Sequence, residues 1–301
     1  MNIDDLTLSF DATGLAVLDG ALALVMFGVA LDLRVADFVA LARDPRAPAV
    51  GLVCQFLLLP ALTVPLALAV APTPSVALGM ILVASCPGGN VSNAITHLAG
   101  GRVGVSVGMT AVSTAAAVVI TPLNLWFWGS RAPSTAALVH HVALDPLQMA
   151  LTVAVVLALP CTAGMAVAAR WPDVARRVVP YAKAASAVFF VGVVAVAFAA
   201  NLQAFEVAIG TVFAPVALLN AVALALGYGA ARLAGLPEPD RRAVCIEVGI
   251  QNSGLGLALI FSFFGGLGGM AAVAAWWGIW HIVAGLTLAG VWTALDRRAA
   301  R

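Results

Sequence analysis

Charged residues are scarce in this sequence: Asp, Glu, Lys and Arg together fill only 10% of its 301 positions. Soluble domains carry about 25% charged residues, whereas 62% of this chain is hydrophobic. The composition therefore excludes an ordinary soluble domain. It predicts an all-α polytopic membrane protein, because long apolar segments cross a bilayer as helices whose backbone groups bond within the segment.

The chain also lacks a basic surplus and any cysteine pattern suited to metal binding. Its formal net charge is only +1, which argues against a nucleic-acid partner. The four cysteines form no CxxC or Cys/His ligand spacing and lie in apolar runs, so we interpret them as small buried apolar residues. Neither a cofactor nor a soft-ligand metal centre is expected.

Apolar segments long enough to span a bilayer follow one another along the whole chain. Their connectors are short and rich in proline and glycine, so we expect a single transmembrane domain over 1–301. The nine predicted spans cover about 13–33, 48–70, 75–98, 104–127, 144–169, 180–200, 207–233, 242–264 and 270–295.

The basic residues predict the orientation of these spans. Lys and Arg favour cytoplasmic loops, and with nine spans all but one of them, Arg131, fall at the same set of helix ends. The N-terminus is therefore predicted outside and the C-terminus in the cytoplasm. The alanine- and arginine-rich composition is typical of a GC-rich bacterial genome, so the expected location is the bacterial inner (plasma) membrane.

One acidic residue stands inside a predicted span. In the stretch 243–260, AVCIEVGIQNSGLGLALI, Glu247 is followed by Gln251, Asn252 and Ser253 among several glycines. A carboxylate at bilayer depth is costly and marks a functional site. The glycines indicate an interrupted helix, which membranes tolerate only where protein buries it or where it lines a cavity.

A second polar interruption occurs in the third predicted span, within ASCPGGNVSNAITHLAGG at 84–101. The Pro-Gly-Gly at 87–89 removes a backbone donor and loosens the chain, and Asn90, Ser92 and Asn93 follow it. The two interrupted spans have opposite topology. Such a pair indicates a secondary transporter built from inverted repeats, here about 13–127 and 144–295.

Neighbouring spans supply further oxygen atoms. Gln55 lies in the second span, and Ser106 and Thr110 are four residues apart on one face of the fourth. Carboxylate, amide and hydroxyl oxygens without a Cys or His cluster suit a hard cation. With a single carboxylate, Glu247, sodium is favoured over calcium or magnesium. Helix N-termini at the breaks would favour an anionic substrate.

The two polar interruptions and the residues around them resemble those of a known family. CPGGNVSNAITHLAGG, the SVGMT that follows it, and IEVGIQNSGLGLAL resemble the two signature regions of the bile acid:sodium symporter (BASS) family. The resemblance extends over nearly the whole chain, and we identify a bacterial member. It implies core helices at about 48–127 and 207–295, panel helices at about 13–33 and 144–200, and two broken helices that cross near the membrane centre.

The resemblance also implies two sodium sites and one substrate site. The first sodium site would use Ser92, Asn93, Ser106, Thr110 and Glu247. The second would use Gln55, Glu247 and Gln251 with backbone carbonyls near Val248 and Ile250. Substrate would lie beside the crossing, near Gly89, Asn90, Asn252, Ser253 and His281.

These residues predict a sodium-coupled symporter of an organic anion that works by alternating access. Asn90 stands where Thr is common in bacterial relatives, and Ile282 stands where some bile-acid-binding relatives carry Asn. The substrate is therefore left open between a bile-acid-like anion and a small carboxylate such as pantoate or a 2-oxo acid. The expected partners are that anion, sodium ions and membrane lipid, with no nucleic acid and no obligate protein partner.

Two other functions compete with this interpretation. One is a proton-coupled or uniport carrier of an organic anion that uses the same site, with Glu247 as the titrating group. The other is an intramembrane enzyme in which Ser253, His281 and His97 join Glu247. The sequence contains no GxSxG or HExxH motif, so we predict that the protein is not an enzyme.

Overall fold

The computed structural model is helical wherever it describes regular structure. Every regular element of three or more residues in the described part is a helix, which confirms the all-α prediction. Asn90 and most of the predicted span 13–33 lie outside the described residues. The described residues are 3–5, 20, 23–24, 26–28, 30–31, 43–89, 91–141, 146–199 and 202–299.

Eleven helices follow a short helical turn at Ile3–Asp5. They are α1 (Arg46–Val70), α2 (Pro74–Ser85), α3 (Val91–Leu98), α4 (Val103–Gly129), α5 (Pro133–His141), α6 (146–170), α7 (Pro172–Ala199), α8 (Leu202–Leu233), α9 (Glu238–Gly249), α10 (Ser253–Phe263) and α11 (Gly268–Ala299). Within the described ranges, four stretches are long and apolar enough to cross a membrane: Arg46–Val70, Val103–Gly129, Ile209–Leu233 and Gly268–Ala299. The count of nine spans stays a prediction.

Prolines explain two local departures from regular helix. α1 contains a π turn at Cys54–Leu58, and α6 contains one at Ala154–Ala158. Each turn ends two residues before a proline, Pro60 or Pro160. Proline cannot donate to the carbonyl four residues earlier and its ring clashes with it. The extra residue of a π turn relieves that conflict and changes the direction of the neighbouring side chains, which include Gln55.

The short helix α5 differs from the sequence prediction, which assigned no helix to 133–141. Pro133 begins the helix, where its missing N–H costs nothing. The Thr135 hydroxyl donates to the Gly129 carbonyl at the end of α4 over 2.5 Å. Local backbone chemistry therefore closes a helical turn in a connector that hydropathy alone does not distinguish.

The interrupted helices lie at the centre of the bundle. From Ser75 to Ser85 every residue of α2 is buried, and α9 is buried from Ala243 to its end. Glycines allow this close packing: a Cβ atom at Gly79 would lie 2.9 Å from the Met270 Cα, and one at Gly227 would lie 2.9 Å from the Cys245 Cα. Small residues at helix contacts are typical of membrane bundles.

Candidate functional site

The two helix interruptions contact each other through their backbones. The first separates α2 from α3, and the second separates α9 from α10. The Gly89 N–H donates to the Ile250 carbonyl over 2.8 Å, and the Asn252 N–H donates to the Pro87 carbonyl over 2.8 Å. Gly88 and Gln251 form an antiparallel bridge between these bonds. Each break thus satisfies backbone groups that the helices leave free.

Side chains from neighbouring helices cap the ends of the broken ones. The Thr121 hydroxyl of α4 donates to the Ser85 carbonyl, the last of α2, over 2.8 Å. The Asn220 amide of α8 donates to the Gly249 carbonyl, the last of α9, over 2.7 Å. Sequence reasoning missed both residues. Asn220 could have been noticed in the sequence, because it is an amide inside an otherwise apolar span.

Three hydroxyls surround the Glu247 carboxylate, which is fully buried. Ser92 of α3 and Ser106 of α4 donate to its Oε2 atom over 2.5 and 2.8 Å, and Thr110 of α4 donates to its Oε1 atom over 2.6 Å. The four side chains come from α3, α4 and α9. The structure therefore brings together residues that the sequence separates by up to 155 positions.

The cluster contains more short oxygen–oxygen contacts than there are hydroxyl hydrogens to form hydrogen bonds in them. The Asn93 Oδ1 atom lies 2.8 Å from the Ser106 Oγ atom and 3.3 Å from the Thr110 Oγ1 atom. Each hydroxyl carries a single hydrogen, yet both already lie within hydrogen-bond distance of Glu247. The remaining contacts place acceptor against acceptor. A hard cation among these oxygens would relieve that repulsion.

A second polar group also lies close to Gly88. The Gln55 Nε2 atom donates to the Gln251 Oε1 atom over 3.3 Å, and the Gln251 Nε2 atom donates to the Val248 carbonyl over 2.8 Å. The Gln55 Oε1 atom is buried without a hydrogen-bond partner. All three residues were predicted at the second sodium site. The carbonyl of Ile250, also predicted there, accepts from the crossing backbone.

Gly88 lies next to both groups, and the Glu247 carboxylate occupies the space of the side chain that Gly88 lacks. A Cβ atom there would overlap the Glu247 Oε1 atom, lie 3.0 Å from its Cδ atom and lie 3.5 Å from the Gln55 Nε2 atom. Gly88 is not among the predicted site residues. The Pro-Gly-Gly pattern indicated a break, but only the folded chain shows that the carboxylate occupies the space that a side chain would need.

The described members of the predicted substrate set lie at or beside the crossing. Gly89 is buried against Gln251, and the Asn252 side chain caps α10 by accepting from the Leu255 N–H over 3.1 Å. Ser253 begins α10. These three residues border the break itself, whereas Asn90 is outside the described residues.

His281 is buried on α11, and its Nδ1 atom has no hydrogen-bond partner. Gly285, one turn further on the same face, packs against Ile250 and Ile95 at 3.1 Å from its would-be Cβ. That face of α11 therefore points toward the crossing. The His281 Nδ1 atom therefore does not hydrogen-bond to Ser253, the nucleophile of the enzyme hypothesis.

Comparison with known proteins identifies relatives of this chain. A family model described as "Sodium Bile acid symporter family" matches residues 20–206. The chain is 30% identical over 272 residues to "Uncharacterized sodium-dependent transporter YocS" of Bacillus subtilis, covering 90% of this chain and 81% of the relative. It is 32% identical over 244 residues to the human "Ileal sodium/bile acid cotransporter", covering 79% of this chain and 67% of the relative.

A plant relative is similar over a smaller share of its own length. The chain is 30% identical over 243 residues to "Probable sodium/metabolite cotransporter BASS2, chloroplastic" of Oryza sativa subsp. japonica. The match covers 81% of this chain and 56% of that protein. The names of these three relatives all describe sodium-dependent transport, and two of them name a class of co-transported solute.

Proposed function

Since this chain belongs to the Sodium Bile acid symporter family, a family of sodium-dependent transporters, we propose that it is a secondary active symporter that couples an organic anion to sodium. The observation that carries the proposal is the excess of oxygen acceptors around the buried carboxylate of Glu247. A monovalent cation there would balance the charge of Glu247 and separate its neighbouring oxygens.

The first sodium ion is proposed to bind among the side-chain oxygens around Glu247. The contributing residues are Ser92, Asn93, Ser106, Thr110 and Glu247. They come from three helices, so bound sodium would hold α3, α4 and α9 together. Burial excludes water from the site, which strengthens the attraction between the ion and the single carboxylate.

The second sodium ion is proposed to bind between Gln55, Gln251 and Glu247, with the carbonyls of Val248 and Ile250. The unpartnered Gln55 Oε1 atom supports this site, because a buried acceptor without a donor is costly and a cation would satisfy it. Both carbonyls already accept one hydrogen bond, and each retains a second lone pair. Glu247 would then belong to both sites.

The substrate is proposed to be an organic anion that binds beside the crossing. Two helices, α3 and α10, begin there, and the N-terminal end of a helix carries partial positive charge. Gly89, Asn90, Asn252, Ser253 and His281 are the proposed contact residues. One relative is named for bile acid and another for a metabolite. The candidates for this chain are a bile-acid-like anion and a small carboxylate such as pantoate or a 2-oxo acid.

The architecture proposed for this cycle has nine transmembrane helices in two inverted repeats. The core helices would be those at about 48–127 and 207–295, and the panel helices those at about 13–33 and 144–200. Relative movement of core and panel would expose the site alternately to either side. We propose the bacterial plasma membrane as the location, with the N-terminus outside and the C-terminus in the cytoplasm.

The test replaces the shared carboxylate and measures sodium binding directly. Purified full-length chain in detergent is titrated with NaCl against choline chloride at constant ionic strength, while thermal unfolding is followed. Sodium that binds the folded state raises the unfolding temperature by mass action. We expect this rise in the wild type and its loss in Glu247→Gln, because the neutral amide cannot balance a cation.

A matched control keeps the result specific. Asp173→Asn also removes one carboxylate, but Asp173 is an exposed residue of α7 that pairs with the similarly exposed Arg176 at the surface. It should retain the full sodium response. The same titration repeated with a panel of organic anions then identifies the substrate class as the one whose stabilising effect requires sodium. A wild type indifferent to sodium would refute the proposal.

A proton-coupled or uniport carrier is the second candidate, because a proton on Glu247 would also fill one of the acceptor contacts. The two candidates are separated by uptake into proteoliposomes of the anion that the screen identifies. Replacing sodium by potassium at fixed pH should abolish uptake by the symporter. Uptake driven by a pH gradient without sodium would establish the second candidate instead.

A further inference from the structure

A group of charged side chains lies at one end of the helices that carry the proposed sodium ligands. Its central member is Arg102, the residue that precedes α4. The Arg102 Nε and Nη2 atoms contact the two carboxylate oxygens of Asp240 at 2.6 and 2.9 Å, and the Nη1 atom contacts Asp44 at 2.8 Å. The paired contacts to Asp240 form a bidentate ion pair, which fixes orientation as well as distance.

The backbone reinforces this ion pair. The Arg102 N–H donates to the Pro239 carbonyl over 2.9 Å, so both the main chain and the side chain of Arg102 contact the start of α9. The Asp240 side chain is only 5% exposed, although the Arg102 side chain is 42% exposed. Burial raises the pKa of the Asp240 carboxyl, and the charge of Arg102 opposes that rise. Loss of Arg102 would leave a buried acid unpaired.

Arg102 therefore joins the starts of three helices. Asp44 precedes α1, Arg102 precedes α4, and Asp240 lies in the first turn of α9. Each of these helices carries proposed sodium ligands further along. At a rise of about 1.5 Å per residue, Ser106 lies about 6 Å along α4 from Arg102, and Glu247 lies about 10 Å along α9 from Asp240.

We propose that Arg102, paired with Asp240, is a positioning residue of the sodium site. It sets the register of α4 against α9 and so holds the hydroxyls of Ser106 and Thr110 at hydrogen-bond distance from Glu247. This inference rests on the proposed sodium-coupled function. Arg102 does not touch the ion and acts only through the helices that it joins.

A metal site tolerates little variation in the distances to its ligands. A metal site requires its ligands to lie within about 0.2 Å of ideal distances, and a helix transmits a shift at its first turn along its length because its backbone is rigid. Outer partners that orient metal ligands change metal affinity by about 10- to 100-fold when they are replaced. A register change between α4 and α9 alters every contact between Thr110, Ser106 and Glu247 together.

A neighbouring arginine provides the contrast. Arg242 of α9 donates to the Ala99 carbonyl over 2.9 Å and to Asp296 of α11 over 2.6 and 2.8 Å. The Arg242–Asp296 pair therefore joins α9 to α11, a helix that carries none of the proposed sodium ligands. Removing Asp296 breaks a bidentate ion pair at the same end of the bundle but leaves the joint between α4 and α9 intact.

The experiment measures the sodium concentration that gives half of the full rise in unfolding temperature, called half-saturating sodium below. It uses the full-length chain and the NaCl titration against choline chloride at constant ionic strength. The variants are Arg102→Gln, Asp240→Asn, their double variant, and Asp296→Asn. We expect Arg102→Gln and Asp240→Asn each to raise half-saturating sodium about tenfold or more. The double variant should be no worse than Arg102→Gln alone, because both changes remove the same Arg102–Asp240 pair. Asp296→Asn should stay close to wild type.

A purely structural role gives a different pattern. The variants would then lower the unfolding temperature in choline chloride but keep the half-saturating sodium of the wild type, and that result overturns the inference. So does an equal rise of half-saturating sodium in Asp296→Asn. If Arg102→Gln does not fold, Arg102→Lys retains the charge without the bidentate geometry, and an intermediate sodium affinity is expected from it.

Failure of the proposed function is distinguishable from failure of this inference. A wild type without any sodium response refutes the sodium-coupled function and the positioning role with it. A wild type that responds to sodium, with an unchanged response in Arg102→Lys and Asp240→Asn, refutes the positioning role alone. A raised sodium requirement in both variants, with Asp296→Asn unchanged, supports it.

Discussion

Replacing Gly88 by alanine perturbs the Glu247 site without changing any of the proposed sodium ligands. The new Cβ atom would overlap the Glu247 Oε1 atom and lie 3.0 Å from its Cδ atom. Ordinary van der Waals contact begins at 3.4 Å. Gly88 does not have the positive φ that only glycine adopts easily, so alanine fits its backbone. The conflict is therefore with the carboxylate alone.

The size of the effect follows from the contacts that Glu247 must give up. Clearing the new methyl group moves the Oε1 atom by about 1 Å. A displacement of that size can lengthen the contact with the Thr110 hydroxyl, now 2.6 Å, to as much as about 3.6 Å, which is no longer a hydrogen bond. Disturbing the orientation of a metal ligand typically costs about 10- to 100-fold in metal affinity. We expect sodium affinity to fall by about 10- to 100-fold.

The assay is the same titration of unfolding temperature with NaCl against choline chloride. Alanine variants of two other glycines serve as a weaker perturbation and as a control. At Gly89 a Cβ atom would lie 3.1 Å from the Gln251 carbonyl oxygen, so Gly89→Ala should weaken sodium binding less than Gly88→Ala. Gly104 of α4 has nothing within 4 Å of its would-be Cβ. Gly104→Ala should bind sodium like the wild type and be slightly more stable.

The prediction for Gly88→Ala fails if the variant folds and retains wild-type sodium affinity. That outcome would mean that the Glu247 carboxylate can leave its three hydroxyl partners at no cost to the ion. It would fail equally if Gly104→Ala lost as much sodium affinity as Gly88→Ala, because the loss would then come from alanine at any glycine of the core.

The caps and the cysteines give two further predictions. Asn220→Ala and Thr121→Val remove the donors to the Gly249 and Ser85 carbonyls; each should cost about 1–3 kcal/mol of stability as a lower unfolding temperature, because a buried carbonyl loses its donor. Thr287→Ala, an exposed control that bonds only within its own helix, should change little, and an equal loss there would contradict the role of the caps. All four cysteines are buried and free, so maleimide should label them only after unfolding in detergent; labelling of the folded protein would contradict their burial.

The sequence predicted the two helix interruptions from local chemistry. Proline lacks a backbone donor and glycine lacks a stabilising side chain, so the Pro-Gly-Gly at 87–89 marks a break wherever the chain folds. The burial of Glu247 was also predictable, because a lone acid in an apolar span has few other interpretations. The resemblance named Ser92, Ser106 and Thr110 as its partners, and the structure brings all three to its carboxylate.

Residues whose role depends on a distant contact were not predictable in this way. Asn220 and Thr121 lie in ordinary apolar helices, and nothing in their own neighbourhood indicates which carbonyl they cap. The sequence predicted only that Arg102 lies among the basic helix ends, and nothing near it indicated Asp240 as its partner. The helix over 133–141 was missed because its stabilising bond, from Thr135 to Gly129, depends on how the end of α4 is turned.

The sequence by itself thus determined that a charge lies among apolar segments, that two helices are interrupted, and that the available oxygens suit a hard cation. These are properties of residue types and their spacing. Only the tertiary structure decided that the two breaks hydrogen-bond to each other, that the Glu247 carboxylate fills the space left by Gly88, and that Arg102 joins the helices around it. Such contacts join positions far apart in the chain, and their distances are fixed by packing, which no local pattern encodes.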